Sequence, residues 1–214
     1  VRRRFSFRKR EWLFFAAAGL VFILLAGKTF LQVRLWGEER QLWDYTVKNS
    51  PRSFMAYNAR GNLFMGNGKY EKAIADFSQA IRYRANYAEA FNNRGIACFR
   101  SGQLDAALRD YNQALKLKPT DLPSAYINRG LLYYHLSKKE KALADYERAL
   151  KGDPRDANAY NNRGMLYFSE QKYDLAKADF DKALEIDPGL SRAYSNRGNI
   201  FFVHGNDQSA FSDY

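Results

Sequence analysis

From Phe54 onward the apolar positions recur at helical spacing, as in Ala73, Phe77, Ala80 and Ile81, and the runs that carry them are short. Small and polar residues separate these runs at regular intervals. The pattern predicts a train of short amphipathic α-helices, none able to bury its apolar face alone.

The train repeats. Tyr57-Asn58-Ala59-Arg60-Gly61 returns as Phe91-Asn92-Asn93-Arg94-Gly95, Tyr126-Ile127-Asn128-Arg129-Gly130, Tyr160-Asn161-Asn162-Arg163-Gly164 and Tyr194-Ser195-Asn196-Arg197-Gly198. The glycines are 34, 35, 34 and 34 residues apart. Twelve residues after each stands an alanine: Ala73, Ala107, Ala142, Ala176 and Ala210. Four further on is an aromatic: Phe77, Tyr111, Tyr146, Phe180 and Tyr214. Ala80, Ala114, Ala149 and Ala183 follow, and Pro119, Pro154 and Pro188 close three of the units. A period near 34 with these positions resembles the tetratricopeptide repeat (TPR), a helix-turn-helix solenoid. The resemblance implies an all-α fold, a right-handed superhelix with units at 54–87, 88–122, 123–156, 157–190 and 191–214. Glycine and alanine are expected where the two helices of a unit cross, and the large aromatics in the gaps between units. Proline marks the unit boundaries because it cannot continue a helix.

The first 53 residues differ. Arg2, Arg3, Arg4, Arg8, Lys9 and Arg10 precede Trp12–Gly27, a stretch without charge. Its 16 residues would span ~24 Å as a helix, short of the ~30 Å hydrocarbon core. Continuing to Val33, with Lys28 snorkelling, closes the gap. Residues 1–34 are therefore read as a basic N-terminus and a single transmembrane helix, with a cleaved signal peptide as the alternative. The heavier positive flank places the N-terminus in the cytoplasm and the repeats in the periplasm. Residues 35–53 read as a degenerate second helix that caps the array, since Trp43 and Pro51 fall on the aromatic and proline positions. The run from Leu42 to Ser53 also resembles the junction in multi-span TPR membrane proteins similar to O-mannosyltransferases. That resemblance implies, as an alternative, the C-terminal part of a glycosyltransferase-like protein.

Net charge is +11. Most of the excess lies in the first 53 residues, so no nucleic-acid partner is expected. Cys98 is the single cysteine and stands where other units carry Phe64, Tyr133, Tyr167 and Phe201. His135 and His204 sit in different units without ligand spacing. No catalytic residue, cofactor or metal is expected.

Each arginine before a glycine has an aspartate sixteen residues later: Arg60 and Asp76, Arg94 and Asp110, Arg129 and Asp145, Arg163 and Asp179, Arg197 and Asp213. These are expected to form structural ion pairs across the two helices of a unit or its neighbour. The resemblance further implies that each first helix lines a concave groove. By register that groove takes Asn58, Asn62, Asn92, Asn161 and Asn199, with Phe99, Tyr134 and Phe168 and their counterparts Met65 and Phe202. Asparagine amides can hold a peptide backbone from both sides, and aromatics add rigid apolar contact. Chaperone-tail recognition is argued against, because Asn58, Ser124 and Asn128 stand where that family pattern has basic residues. The expectation is a membrane-tethered, non-catalytic scaffold for a protein or peptide partner, or an exported soluble TPR protein if the leader is removed.

Overall fold

The computed structural model describes residues 39–213. The expected span at 12–33 lies outside them, as does Tyr214. Among the described residues no helix is long and apolar enough to cross a membrane. The chain divides into two compact units, 1–52 and 53–214. In the first, residues 39–49 are helical (α1).

The second unit is a helical-repeat solenoid. Its helices are α2 (Phe54–Gly66), α3 (Tyr70–Tyr83), α4 (Ala88–Arg100), α5 (Leu104–Leu117), α6 (Pro123–His135), α7 (Lys139–Gly152), α8 (Ala157–Ser169), α9 (Tyr173–Ile186), α10 (Ser191–Val203) and α11 (Asp207–Asp213). Each repeat is an even-numbered first helix followed by an odd-numbered second. Caps fix some entries: Ser53 accepts from the Ala56 amide at 3.3 Å, Asp156 from the Ala159 amide at 2.9 Å, and Pro123 opens α6. The turn inside each repeat needs one left-handed residue. Gly68, Gly102 and Gly205 supply it without strain, while Ser137 (φ 58°) and Gln171 (φ 60°) hold the same place in the third and fourth repeats.

The repeat glycine is a socket. A Cβ on Gly61, Gly95, Gly130 or Gly164 would lie 2.6–2.7 Å from a ring carbon of Phe77, Tyr111, Tyr146 or Phe180 respectively. The aromatic expected between units therefore lies first on its own repeat's glycine. Its other side meets the next repeat: Phe77 packs with Ala97, Tyr111 with Leu132, Tyr146 with Leu166 and Phe180 with Ile200. The alanines at 73, 107, 142 and 176 are fully buried beside them. One ring thus joins a helix pair and staples that pair to its neighbour.

Successive first helices touch one another, α2 with α4, α4 with α6, α6 with α8 and α8 with α10. Successive second helices make no such contact among the described residues. The first helices are therefore the closer-packed layer, on the inside of the solenoid's curve.

Candidate functional site

Polar chemistry in the array is concentrated around the repeated Arg-Gly pairs of the first helices. All five arginines grip the aspartate of the same repeat through two parallel bonds, Nε to Oδ2 and Nη2 to Oδ1. The distances are 2.7 and 2.8 Å for Arg60 and Asp76, 2.8 and 2.7 Å for Arg94 and Asp110, and 2.7 and 2.7 Å for Arg129 and Asp145. They are 2.8 and 2.8 Å for Arg163 and Asp179 and 2.7 and 2.7 Å for Arg197 and Asp213. This is the fork-to-fork geometry that favours arginine over lysine. The aspartates are buried and the arginines are largely covered. Bonding to Asp110 holds the Arg94 guanidinium above its ordinary value, against the opposing effect of burial. Burial pulls Arg129 down, but Asp145 outweighs it and the net shift is upward.

Two further features hold these arginines. Aromatic rings three residues before and four after lie near the guanidinium, with centroids 5.5–5.9 Å away, as for Tyr160 and Tyr167 around Arg163. The second repeat has Cys98 in place of the later ring, buried, with its thiol pushed up mainly by burial. The third arginine nitrogen, Nη1, reaches back one repeat. It donates to Ser78 from Arg94 at 3.0 Å, to Asn112 from Arg129 at 2.7 Å and to Asp181 from Arg197 at 2.7 Å. At the corresponding joint Arg163 would meet Glu147, and no such bond forms.

The asparagines divide into two groups. Asn92 and Asn161, expected in the groove, are buried at the joints between first helices, Asn161 completely. Asn58, half-buried, shares their role. Each accepts from an asparagine of the next repeat: Asn58 from Asn93 at 3.2 Å, Asn92 from Asn128 at 3.0 Å and Asn161 from Asn196 at 2.9 Å. Ile127 occupies the acceptor position in the third repeat, so Asn162 has no such partner there. Instead it accepts from Asn161 at 3.5 Å. Sequence reasoning identified the acceptors as ligands and missed the donors Asn93, Asn128 and Asn196. The signal was the asparagine directly before the arginine in four of the five repeats, Asn93, Asn128, Asn162 and Asn196.

Asn62 and Asn199 remain exposed. Asn199 shares a cleft of about 180 Å³ with Tyr134, Met165, Phe168 and Asn196, floored by Phe180. These residues come from three successive first helices and from α9 beneath them. Phe99 lies apart and packs edge-on against His135 at 5.7 Å. Phe168 packs likewise against Tyr173 at 5.5 Å. Phe202 is 66% exposed. Among the described residues no group of three or more His, Cys, Asp or Glu is placed to hold a metal.

Tetratricopeptide repeat family profiles match residues 39–121, 123–156 and 157–190. The chain belongs to the tetratricopeptide repeat family. No curated protein matches the sequence. Solved structures share the TPR fold. PilW, a type IV pilus biogenesis factor, has a TM-score of 0.75 at 20% identity, over 86% of this chain and 85% of that one. MamA (residues 41 to the end) from Desulfovibrio magneticus RS-1 has 0.62 at 21%, over 75% and 90%. YrrB, described as a TPR protein with an unusual peptide-binding site, has 0.58 at 21%, over 80% and 88%. At these identities the likeness shows the fold alone.

Proposed function

We propose that this TPR protein is a non-catalytic scaffold that docks a protein partner in the trough of its first helices, tethered to a bilayer by residues 12–33. The observation that carries the docking reading is the cleft where Tyr134, Met165 and Phe168 present apolar surface beside the amides of Asn196 and Asn199. A pocket of that size takes one side chain of a peptide. Asn196, whose Nδ2 is held by Asn161, can still accept from a main-chain N–H through its side-chain oxygen, which gives orientation as well as affinity. Peptide binding by the similarly folded YrrB agrees with this use of the fold. The tether reading rests on the length and apolar character of the N-terminal stretch, and the heavier basic flank supports reading the array as periplasmic.

Photocrosslinking from Asn199 in native membranes tests the docking reading. It should capture a protein that a probe at exposed Glu147, on α7, does not, and Phe168→Ala should abolish the capture. Identical catches from both positions would refute the reading. Extraction of the full chain by detergent but not by alkaline carbonate tests the tether.

A further inference from the structure

Two of the places where the repeats depart from their own pattern meet at one point of the array. The loop between a second helix and the next first helix runs over four residues at 84–87, 153–156 and 187–190, but over five at 118–122. The last residue of the second helix is Tyr83, Leu117 or Ile186 in three repeats and Gly152 in the third. In the first repeat the Tyr83 ring stacks on Tyr57, with centroids 5.7 Å apart. In the fourth, Ile186 and Tyr160 pack against the same apolar cluster. In the third, Tyr126 stands where Tyr57 and Tyr160 stand, but Gly152 has no side chain to lay beside it, and Pro123 lies 3.0 Å from where a Cβ on Gly152 would be.

A cleft of about 420 Å³ opens there. Its floor is Pro119, Pro123 and Tyr126, and its wall is Arg148, Lys151 and Gly152. The tyrosine ring is fixed because its hydroxyl donates to the Pro119 carbonyl at 3.0 Å. Arg148 stands 5.9 Å from the ring centroid. Its nearest carboxylate, Asp145, is 3.7 Å away and already filled by Arg129, and the Arg148 side chain is 61% exposed. Lys151 is exposed. Asp121, the acidic residue of the loop, is bonded to the Thr120 hydroxyl at 2.9 Å. The cleft therefore offers a half-buried tyrosine ring with Arg148 over it and exposed Lys151 beside it, and the one carboxylate that Arg148 reaches, Asp145, is shared with Arg129.

We propose that this cleft is a second docking site, for a short peptide segment carrying an aromatic side chain next to a carboxylate. The ring takes the space that Tyr83 fills in the first repeat, and the carboxylate meets Arg148 and Lys151. The site lies at the second-helix end, away from the trough of the first helices, so it stands independently of the function proposed above.

The test is fluorescence anisotropy with the full chain and a labelled peptide bearing tryptophan flanked by two glutamates. Binding is expected, weakened at least about tenfold by the Arg148→Gln, Lys151→Gln double variant and by Gly152→Tyr, which restores the first-repeat residue. Peptides with alanine for tryptophan, or glutamine for glutamate, should lose affinity to the same degree. Phe168→Ala, in the trough, should leave binding unchanged. Failure of the unmodified chain to bind at about 1 mM peptide, equal binding by the double variant, or loss with Phe168→Ala would each overturn the proposal. A Gly152→Tyr that does not fold leaves the double variant, at two exposed positions, to decide it.

Discussion

Arg129 and Asp145 close a planar, two-bond bridge between α6 and α7, and the remaining Arg129 nitrogen is held by Asn112 on α5. One side chain thus ties three helices. The Asp145 side chain is only 2% exposed, so removing it strands a guanidinium that burial has already stripped of water. Asp145→Ala is expected to destabilise the array by about 3–5 kcal/mol. Glu147→Ala, two residues along the same helix and exposed, should stay within about 0.5 kcal/mol of the parent. Urea unfolding of both variants checks this, and equal midpoints would contradict it.

Gly164 and Phe180 make a second, purely steric pairing. A Cβ at Gly164 would stand 2.6 Å from the Phe180 ring. The ring is also packed with Ala176 and Ile200, so it has nowhere to retreat. Gly164→Ala should cost about 1–3 kcal/mol. Shrinking the ring in the double variant Gly164→Ala, Phe180→Leu should recover part of the loss relative to the sum of the two single changes. Strict additivity in a double-mutant cycle would show that the two do not compete for space.

The second and third repeats have tyrosine where the first and fourth have phenylalanine. Burial pushes the Tyr111 and Tyr146 hydroxyls well above the ordinary tyrosine value of 10.0. In the unfolded chain they release protons near that value, and in the folded chain they do not. The unfolded state therefore gains on the folded one as pH rises above about 10, and stability falls. Replacing both with phenylalanine should leave neutral-pH melting nearly unchanged and flatten the alkaline loss. Melting curves at pH 8 and 11 would show it, and parallel losses in both proteins would count against it.

Asn161 accepts from Asn196 at 2.9 Å with no exposure to solvent. Asn161→Ala removes the acceptor of the Asn196 amide at a buried joint and should cost about 1–3 kcal/mol. Asn62→Ala, exposed one turn beyond the first-repeat joint, should change little. Hydrogen exchange across α8 and α10 would localise the effect. Slow exchange unchanged in α10 would show that the bond holds nothing.

The architecture was readable because a repeat states each constraint several times. One Arg-Gly turn is uninformative, but five at a fixed period locate every helix pair. The sixteen-residue offset linking Arg129 to Asp145 was visible for the same reason. Contacts between repeats were harder to read. Asn93 reaches Asn58 across 35 residues, an offset one longer than the period, and it depends on how neighbouring first helices are rotated. Periodicity carries no record of that rotation, so asparagines that face a neighbouring helix looked as though they faced a ligand. The aromatic on glycine shows a similar ambiguity, since Phe77 fills a space inside its repeat and a space beyond it with one ring. The cleft beside Tyr126 was hidden in plain view, because a single extra residue and a single glycine look like noise against five good copies.

The third and fourth repeats meet without the asparagine and arginine latches of the other joints. At that junction Ile127 interrupts the asparagine series, and Arg163 makes no backward bond. The surfaces meet instead through Ile127, Ala149, Leu150 and Ala159. Hydrogen bonds fix an angle, whereas aliphatic contact tolerates sliding. This joint is held by apolar burial and by the Lys139 Nζ bond to the Ser169 carbonyl at 3.3 Å, with no asparagine or arginine latch between α6 and α8. Tyr134 stands on one side of it and Phe168 on the other, so apolar burial, and not a side-chain latch, sets the spacing of those two walls of the cleft.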